Sequence, residues 1–331
     1  MRPSLTVIVL NYNSKRFLPD LFNSLAKQTW DDFELFLVDN ASRDGGVALA
    51  KKLKKNYALE DKTVIIENKK NLGFCKGNNI AAWKAKGKYL LFLNVDTKFD
   101  DKCFEKLIQS AEGNPAVGIW QSYILNYDYS LRTAGNNYDI YAAKAQPKEW
   151  RTFFASGACL LIRNELFKKI GGFDEALFLM NDDADLAWRV RLLGYGVGCA
   201  TESICYHYGN YATGGQTPQN VYFLQRNRIR ISIKNYSAGN ITKRLGIILS
   251  LILLFGIYYA MNNKNVRYLT SVLKAFFWNI KYLRDTLYAR KIVQRQRIVQ
   301  DSEIEKHMIP YSTELYSFSI KIGLSQSNVC I

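Results

Sequence analysis

Residues 5–10 (LTVIVL) form a short apolar run, the pattern of a strand buried on both faces. The next apolar residues, Leu18, Leu21, Phe22 and Leu25, recur at steps of three and four. They predict a helix, with Asn13 or Ser14 available to cap it. Residues 33–38 (FELFLV) predict a second strand, 47–55 a helix, 62–67 a strand, 78–86 a helix and 89–93 (YLLFL) another buried strand. This alternation predicts a parallel, doubly wound sheet. Polar residues gather directly after the strands, at Asn11, at Asp39 and Asn40, and at Asn94 and Asp96. In an open α/β sheet the ligand crevice lies at those carboxyl ends.

The stretch 114–151 is richer in Tyr, Asn and Gly and less regular. Residues 158–162 predict a strand and 165–170 a helix stopped by Gly171 and Gly172. A further helix is expected from near Asp182 to Gly194, followed by a strand-like run over 195–206. The character changes after about Gly215. Residues 245–261 carry no charge over 17 positions, with Lys243 and Arg244 before them and Lys264 and Arg267 after. As a helix this run is about 25 Å long, short of a hydrocarbon core of about 30 Å. From Leu269 to Leu287 apolar residues recur at helical spacing, with Lys274, Lys281 and Arg284 between them and Phe276, Phe277, Trp278 and Tyr282 among them. That is a basic amphipathic helix. A monotopic arrangement in the cytoplasmic leaflet is preferred for the two segments; a single span and a buried core helix are the alternatives.

Charge narrows the class. The net charge is +16, and residues 216–331 hold 17 Lys and Arg against five Asp and Glu. Such a balance attracts nucleic acid, acidic lipid or phosphorylated ligands. Here the basic residues interleave with apolar and aromatic ones, which fits anionic lipid rather than nucleic acid. The cysteines at 75, 103, 159, 199, 205 and 330 form no C-x-x-C pair and are expected as reduced, mostly buried thiols. The first apolar run is too short for a signal-peptide core, so the catalytic part is expected in the cytoplasm.

Four clusters carry candidate chemistry. Asp96 follows a buried strand in LFLNVDT, where a carboxylate is rigidly held and suits a hard cation or, more simply, a turn. Residues 181–185 (NDDAD) crowd three carboxylates into four positions at a helix start. That exceeds what a cap requires, and like-charge crowding raises a carboxylate pKa toward that of a general base. An exposed acidic helix start is the plainer reading. His207, in CYHYG, is one of two histidines, so no His cluster supports zinc. The loop NLGFCKGNN at 71–79 can approach phosphates closely. It is neither G-x-G-x-x-G nor a P-loop, which weakens nicotinamide and kinase readings.

Taken in order, VIVLNYN, LVDNAS, NLGFxxGNN, LNVDT, GACLLIR, GGFDE and DDADLAWR with LLGY resemble the inverting family-two glycosyltransferases of the GT-A fold, over about residues 4–235. Within them the chain looks most like the rhamnosyltransferase-like and galactofuranosyltransferase-like branch. The resemblance implies an α/β nucleotide-diphospho-sugar transferase fold with a doubly wound mixed sheet. It divides the chain into a catalytic domain over 1–235, with a nucleotide-binding half to about 100 and an acceptor half beyond, and a helical, membrane-associating region over 236–331. It implies that Asn11, Asp39, Asn71, Gly73, Gly77, Asn78, Asn94 and Asp182 serve the nucleotide sugar. Asp96, with His207, would hold a divalent cation, Mg²⁺ or Mn²⁺. Asn94 stands where the family's D-x-D motif has its first Asp, and Asp182 where its E-D pair has Glu. Asp183 is then the general base, and Arg189 a structural or acceptor-side residue. The implied reaction moves a sugar from a nucleotide-diphosphate donor to a saccharide or lipid-linked acceptor at the cytoplasmic face of the membrane, oligomeric or not. A catalytically inactive sugar-nucleotide or membrane-surface binding protein is the alternative.

Overall fold

The computed structural model describes residues 3–133, 135–145, 152–209 and 217–321. Cys330, the change of character read at Gly215 and part of the irregular 114–151 stretch lie outside them. The first elements are β1 (Leu5–Asn11), α1 (Leu18–Ala26), β2 (Phe33–Asp39), α2 (Gly46–Asn56), β3 (Thr63–Glu67), α3 (Gly73–Ala82), β4 (Tyr89–Asn94) and β5 (Thr97–Phe99). Next come α4 (Cys103–Gly113), β6 (Val117–Leu125), β7 (Leu131–Thr133), β8 (Asn137–Tyr138), β9 (Lys144–Ala145), β10 (Cys159–Arg163), α5 (Asn164–Lys169), α6 (Asp182–Leu192) and β11 (Gly196–His207). The last are α7 (Pro218–Asn235), α8 (Ala238–Asn262), α9 (Arg267–Lys281), α10 (Leu283–Gln296), α11 (Asp301–Glu305) and α12 (Thr313–Lys321). Two compact units result. One comprises Met1–Gly135, Phe154–Val190 and Tyr195–Ala212; the other comprises Asn136–Phe153, Arg191–Gly194 and Thr213–Ile331. The boundary read at 235/236 falls between α7 and α8.

The first unit is built on a sheet of order β3-β2-β1-β4-β10-β6-β11-β5, with β7 beside β6. Strands β1 to β4 pair in parallel, as their apolar runs and intervening helices predict. The sheet is nevertheless mixed: β10 runs antiparallel to both β4 and β6, and β5 antiparallel to β11. The register places Asn11 beside Asp39, and Leu10 beside Asn94. Three polar strand ends therefore stand next to one another. One face of the sheet is sealed by Leu18, Phe22 and Leu25 of α1 and Phe104 and Leu107 of α4, all buried with Val7, Leu35 and Leu91. Each such side chain contributes about 1.5–3 kcal/mol when taken from water. The described cysteines are free thiols, four of them buried.

Several boundaries differ from expectation. Helix α3 starts at Gly73, five residues before the predicted start, because its first turn is held by tertiary contacts. Ser14 precedes a 3₁₀ turn at Lys15–Phe17 and gives no side-chain cap; its hydroxyl donates to the Tyr12 carbonyl instead. The predicted basic helix over 269–287 is two helices, α9 and α10, broken at Tyr282.

In the second unit α7 packs on α8, α9 and α10. It buries Arg226, Arg228, Arg230 and Lys234. Arg228 pairs with Glu314 at 2.9 Å and Arg230 with Asp285 at 2.7 Å. The Arg226 guanidinium lies 4.5 Å from the Trp278 ring centroid, and Asn279 donates to the Arg226 carbonyl. For Arg228 and Arg230 the burial is tolerated because each is paired with a carboxylate. An apolar cluster of Val221, Ile229, Ile248, Ile252, Tyr268 and Val272 joins α7, α8 and α9.

Candidate active site

Parallel strand ends bring the first group together. Asn11 ends β1 and Asp39 ends β2, and the Asn11 amide donates to Asp39 Oδ1 at 2.7 Å. Asp39 Oδ2 accepts the Ser42 N–H at 2.9 Å, so both carboxylate oxygens are oriented while the residue is buried. The Asn11 Oδ1 atom is buried without a hydrogen-bond partner, an unusual state for an amide oxygen. Next to Asp39, Asn40 donates to Asn71 Oδ1 and to the Gly73 carbonyl, and accepts from Asn68. These asparagines tie the β2 end to the start of α3.

Gly73, Gly77 and Asn78 have reasons internal to the protein. Gly73 has φ +78°, and a Cβ there would fall 2.5 Å from a Phe178 ring carbon and 2.6 Å from the Phe178 carbonyl oxygen. That carbonyl accepts the Phe74 N–H at 2.6 Å, closing the first turn of α3. Gly77 lies against the Leu10 and Asn40 side chains, and Asn78 donates back to the Phe74 carbonyl. Asn79 binds both the N–H and the carbonyl of Phe173, clamping the GGFDE segment to α3.

The second group stands past the end of β4. Asp96 is 6% exposed. Its Oδ1 is 3.2 Å from His207 Nε2, and its Oδ2 accepts the Gly209 N–H at 3.2 Å. The Asn94 amide nitrogen is also 3.2 Å from His207 Nε2. Burial pushes the Asp96 pKa up, but the hydrogen bond and charge of His207 and the Gly209 N–H outweigh it, so the carboxyl is held below its ordinary value. Strand β11 aligns His207 with Thr97, which fixes the histidine over the Asn94–Asp96 turn.

The third group opens α6. Phe178, Met180 and Asn181 all have positive φ, at 64°, 72° and 59°. Left-handed backbone at Phe and Met is costly and collects at functional sites. From this turn three carboxylates diverge. Asp185 is fully buried in an ion pair with Arg189 at 2.9 Å, and Arg189 also donates to the Ile170 carbonyl. Both of these Arg189 contacts are internal to the protein. Asp182 is 7% exposed, and burial first, then the Asp183 charge, hold its carboxyl well above the ordinary range. Asp183 is partly exposed and accepts N–H groups from Ala184 at 2.8 Å and Gly157 at 3.3 Å. One residue on from Gly157, the Ala158 carbonyl accepts the Asn94 N–H. A single stretch of backbone thus links the base candidate to the Asn94–Asp96 turn.

Sequence reasoning placed Asn40 at the crevice without a role and did not find Ser42, Gly157 or Gly209. The L-V-D-N-A-S motif contained Ser42. Gly157 and Gly209 act through backbone N–H groups, which leave no side-chain signal.

The mixed sheet, with its polar strand ends beside a carboxylate-rich helix start, has the GT-A fold. The chain belongs to glycosyl transferase family 2, whose domain it matches over residues 6–171, half of its length. A Haemophilus influenzae protein described as an uncharacterized glycosyltransferase is 28% identical over 185 residues, covering 54% of this chain and 59% of that protein. The chain therefore spans less than two thirds of that relative. The N-acetylglucosaminyl-diphospho-decaprenol L-rhamnosyltransferase of Mycobacterium tuberculosis is 22% identical over 244 residues, covering 65% of this chain and 79% of that one. Among solved structures, a mannosyltransferase from Pyrobaculum calidifontis in complex with GDP-Man and Mn²⁺ superposes with a TM-score of 0.56 at 16% identity. The superposition covers 89% of this chain and 86% of the mannosyltransferase.

Proposed function

We propose that the protein transfers a sugar, with inversion, from a nucleotide diphosphate to a saccharide or lipid-linked saccharide, in the manner of the rhamnosyltransferase-like and galactofuranosyltransferase-like branch. The observation that carries this reading is the division of labour among the three carboxylates of α6. Asp185 is committed to Arg189, Asp182 is buried and favours its proton, and Asp183 is partly exposed and oriented by the Gly157 N–H. That leaves Asp183 as the general base.

Asn11 and Asp39 serve the nucleoside, and the buried Asn11 Oδ1 offers an acceptor for it. Asn71, Gly73, Gly77 and Asn78 shape the floor of the donor site through α3, and Asn94 orients His207. The donor set at Asp96 and His207, one carboxylate and one imidazole, fits a divalent cation that completes its shell with substrate oxygens. No group of three or more His, Cys, Asp or Glu gathers among the described residues. When bound, Mg²⁺ or Mn²⁺ supplies charge to the diphosphate leaving group. In the transfer itself the acceptor hydroxyl oxygen bonds to the anomeric carbon on the face opposite the diphosphate. Its proton passes to Asp183, and the bond from that carbon to the diphosphate oxygen breaks, its electron pair leaving with the nucleoside diphosphate. The relative's printed name, an L-rhamnosyltransferase acting on a diphospho-decaprenol, supports a lipid-linked acceptor.

The test is a panel of nucleotide sugars with Mg²⁺ or Mn²⁺, scored by nucleoside diphosphate release with saccharide and lipid-linked acceptors. At least one donor should be consumed in the presence of metal, and Asp183→Asn should suppress it. A folded wild-type chain that neither binds nor consumes any donor would mark the inactive binding protein instead.

A further inference from the structure

Helix α8 is the one helix among the described residues that is long and apolar enough to cross a membrane. Its packing argues for another arrangement. Ile248 and Ile252 sit in the apolar cluster with Val221 and Ile229 of α7. Gly256 lies so close to α9 that a Cβ would stand 2.8 Å from Val272. Helix α8 is thus seated on α7 and α9 along one side. The partner α7 buries three arginines and a lysine, and carrying such charges into hydrocarbon is expensive. A spanning α8 would take that helix with it or lose its packing.

The opposite side of α8 is bare. Leu254, Ile257 and Met261 follow at helical spacing and are exposed, Met261 at 74%. Helix α9 repeats the pattern with Leu273, Phe277 and Ile280, the last two 71% and 70% exposed. Contiguous exposed apolar side chains of this size mark an interaction surface. Charge decides the partner. From residue 238 to 296 the chain has ten Lys and Arg and one acidic residue, Asp285, which is engaged with Arg230. Lys274, Lys281 and Arg284 are exposed beside the apolar positions of α9 and the start of α10. A second copy on this face would bring two such basic surfaces together. An anionic bilayer complements both the charge and the apolar side chains.

We propose that the exposed faces of α8 and α9 dock on an anionic lipid bilayer, dipping their apolar side chains below the headgroups without crossing the membrane. The surface stands on the second unit alone and does not depend on the transferase reading.

The experiment uses the full chain with vesicles of phosphatidylcholine, with and without phosphatidylglycerol, in a flotation assay at low and high salt. The wild type should float with the anionic vesicles and lose affinity as salt rises. Phe277→Glu with Ile280→Glu, and separately Lys274→Glu with Lys281→Glu and Arg284→Glu, should each weaken binding by at least roughly tenfold. Wild-type thermal unfolding must be retained, since all five positions are exposed. Three results overturn the proposal: a folded wild type that ignores anionic vesicles, equal binding to neutral vesicles at all salt concentrations, or a dimer in light scattering that Phe277→Glu dissolves. Protease protection of the segment between α8 and α9 from one side of sealed vesicles would show a span and overturn it too. Donor consumption measured without vesicles reports on the transferase reading separately.

Discussion

Asp96 and Asp182 are the same group in nearly the same degree of burial, yet their surroundings push their pKa values in opposite directions. Asp96 sits beside His207 and a backbone N–H, and its pKa falls despite burial. Asp182 sits beside Asp183, and burial and like charge act in the same direction to raise it. The lesson is that the sign of the neighbours, not depth, decides what a carboxylate does. An ionised carboxylate facing a histidine suits a cation; a protonated one beside a second carboxylate leaves that second group to accept a proton. The same helix turn holds a third case, Asp185, neutralised outright by Arg189.

The sharpest way to break this comparison is to exchange the two members of the α6 pair. Asp183→Asn should lower the transfer rate by about 10²–10⁴-fold with donor affinity nearly unchanged, because only proton acceptance is removed. Asp182→Asn should leave most of the rate in place. The reverse pattern in steady-state kinetics would move the base to Asp182. For Asp185 the expected effect is on stability. Arg189→Met strands a buried carboxylate and should cost about 3–5 kcal/mol in denaturant unfolding. Adding Asp185→Leu to that variant should restore part of the loss, since an apolar pair leaves no buried charge. Additive losses would show that the two residues act independently.

Part of this arrangement was legible in the sequence. Strands β1, β2 and β4 are largely buried on both faces, so their residues are mostly apolar, Thr6 and Glu34 excepted, and the polar residue at each end marks the crevice. Helix α7 was not legible, because it buries arginines where the helical pattern expects leucines. Strand β6 mixes Gly, Trp, Gln and Ser and carries no clean period, although Gln121 and Ser122 are fully buried through hydrogen bonds. The Asp185–Arg189 pair could have been read from its i, i+4 spacing. The left-handed turn at 178–181 could not, since Phe and Met give no sign of positive φ; in the fold its Phe178 lies directly against Gly73.

That contact offers a smaller and more selective perturbation. Gly73→Ala adds a Cβ against the Phe178 carbonyl at a φ that disfavours it, and should cost about 1–3 kcal/mol of stability. The shift passes into the turn that launches α6, whereas Asp96 and His207 are held by β4, β11 and Gly209. The transfer rate should therefore fall by more than metal-dependent nucleotide binding, followed by titration calorimetry, which declines only as far as the donor floor at Gly73 is disturbed. Equal losses in both would mean that the two carboxylate sites do not respond separately.

The smallest effect expected is a gain in stability. Because the folded pKa of Asp182 is raised, the folded protein binds more protons than the unfolded chain once pH passes above the ordinary carboxylate range. Stability from this group is fully present below that range and declines as pH rises toward and through the raised value. Asp182→Asn removes the titration and leaves a neutral amide of the same shape, so it should be more stable than wild type near neutral pH. In acid, where the wild-type carboxyl is protonated in both states, the advantage should vanish. Asp185 keeps its partner in the variant, so the difference between the two unfolding curves reports the titration of the Asp182–Asp183 pair. Thermal melts of both proteins across the pH range check the sign. A variant less stable than wild type at neutral pH would mean that Asp182 is ionised there and held by favourable contacts, which would make it the counterpart of Asp96 rather than its opposite.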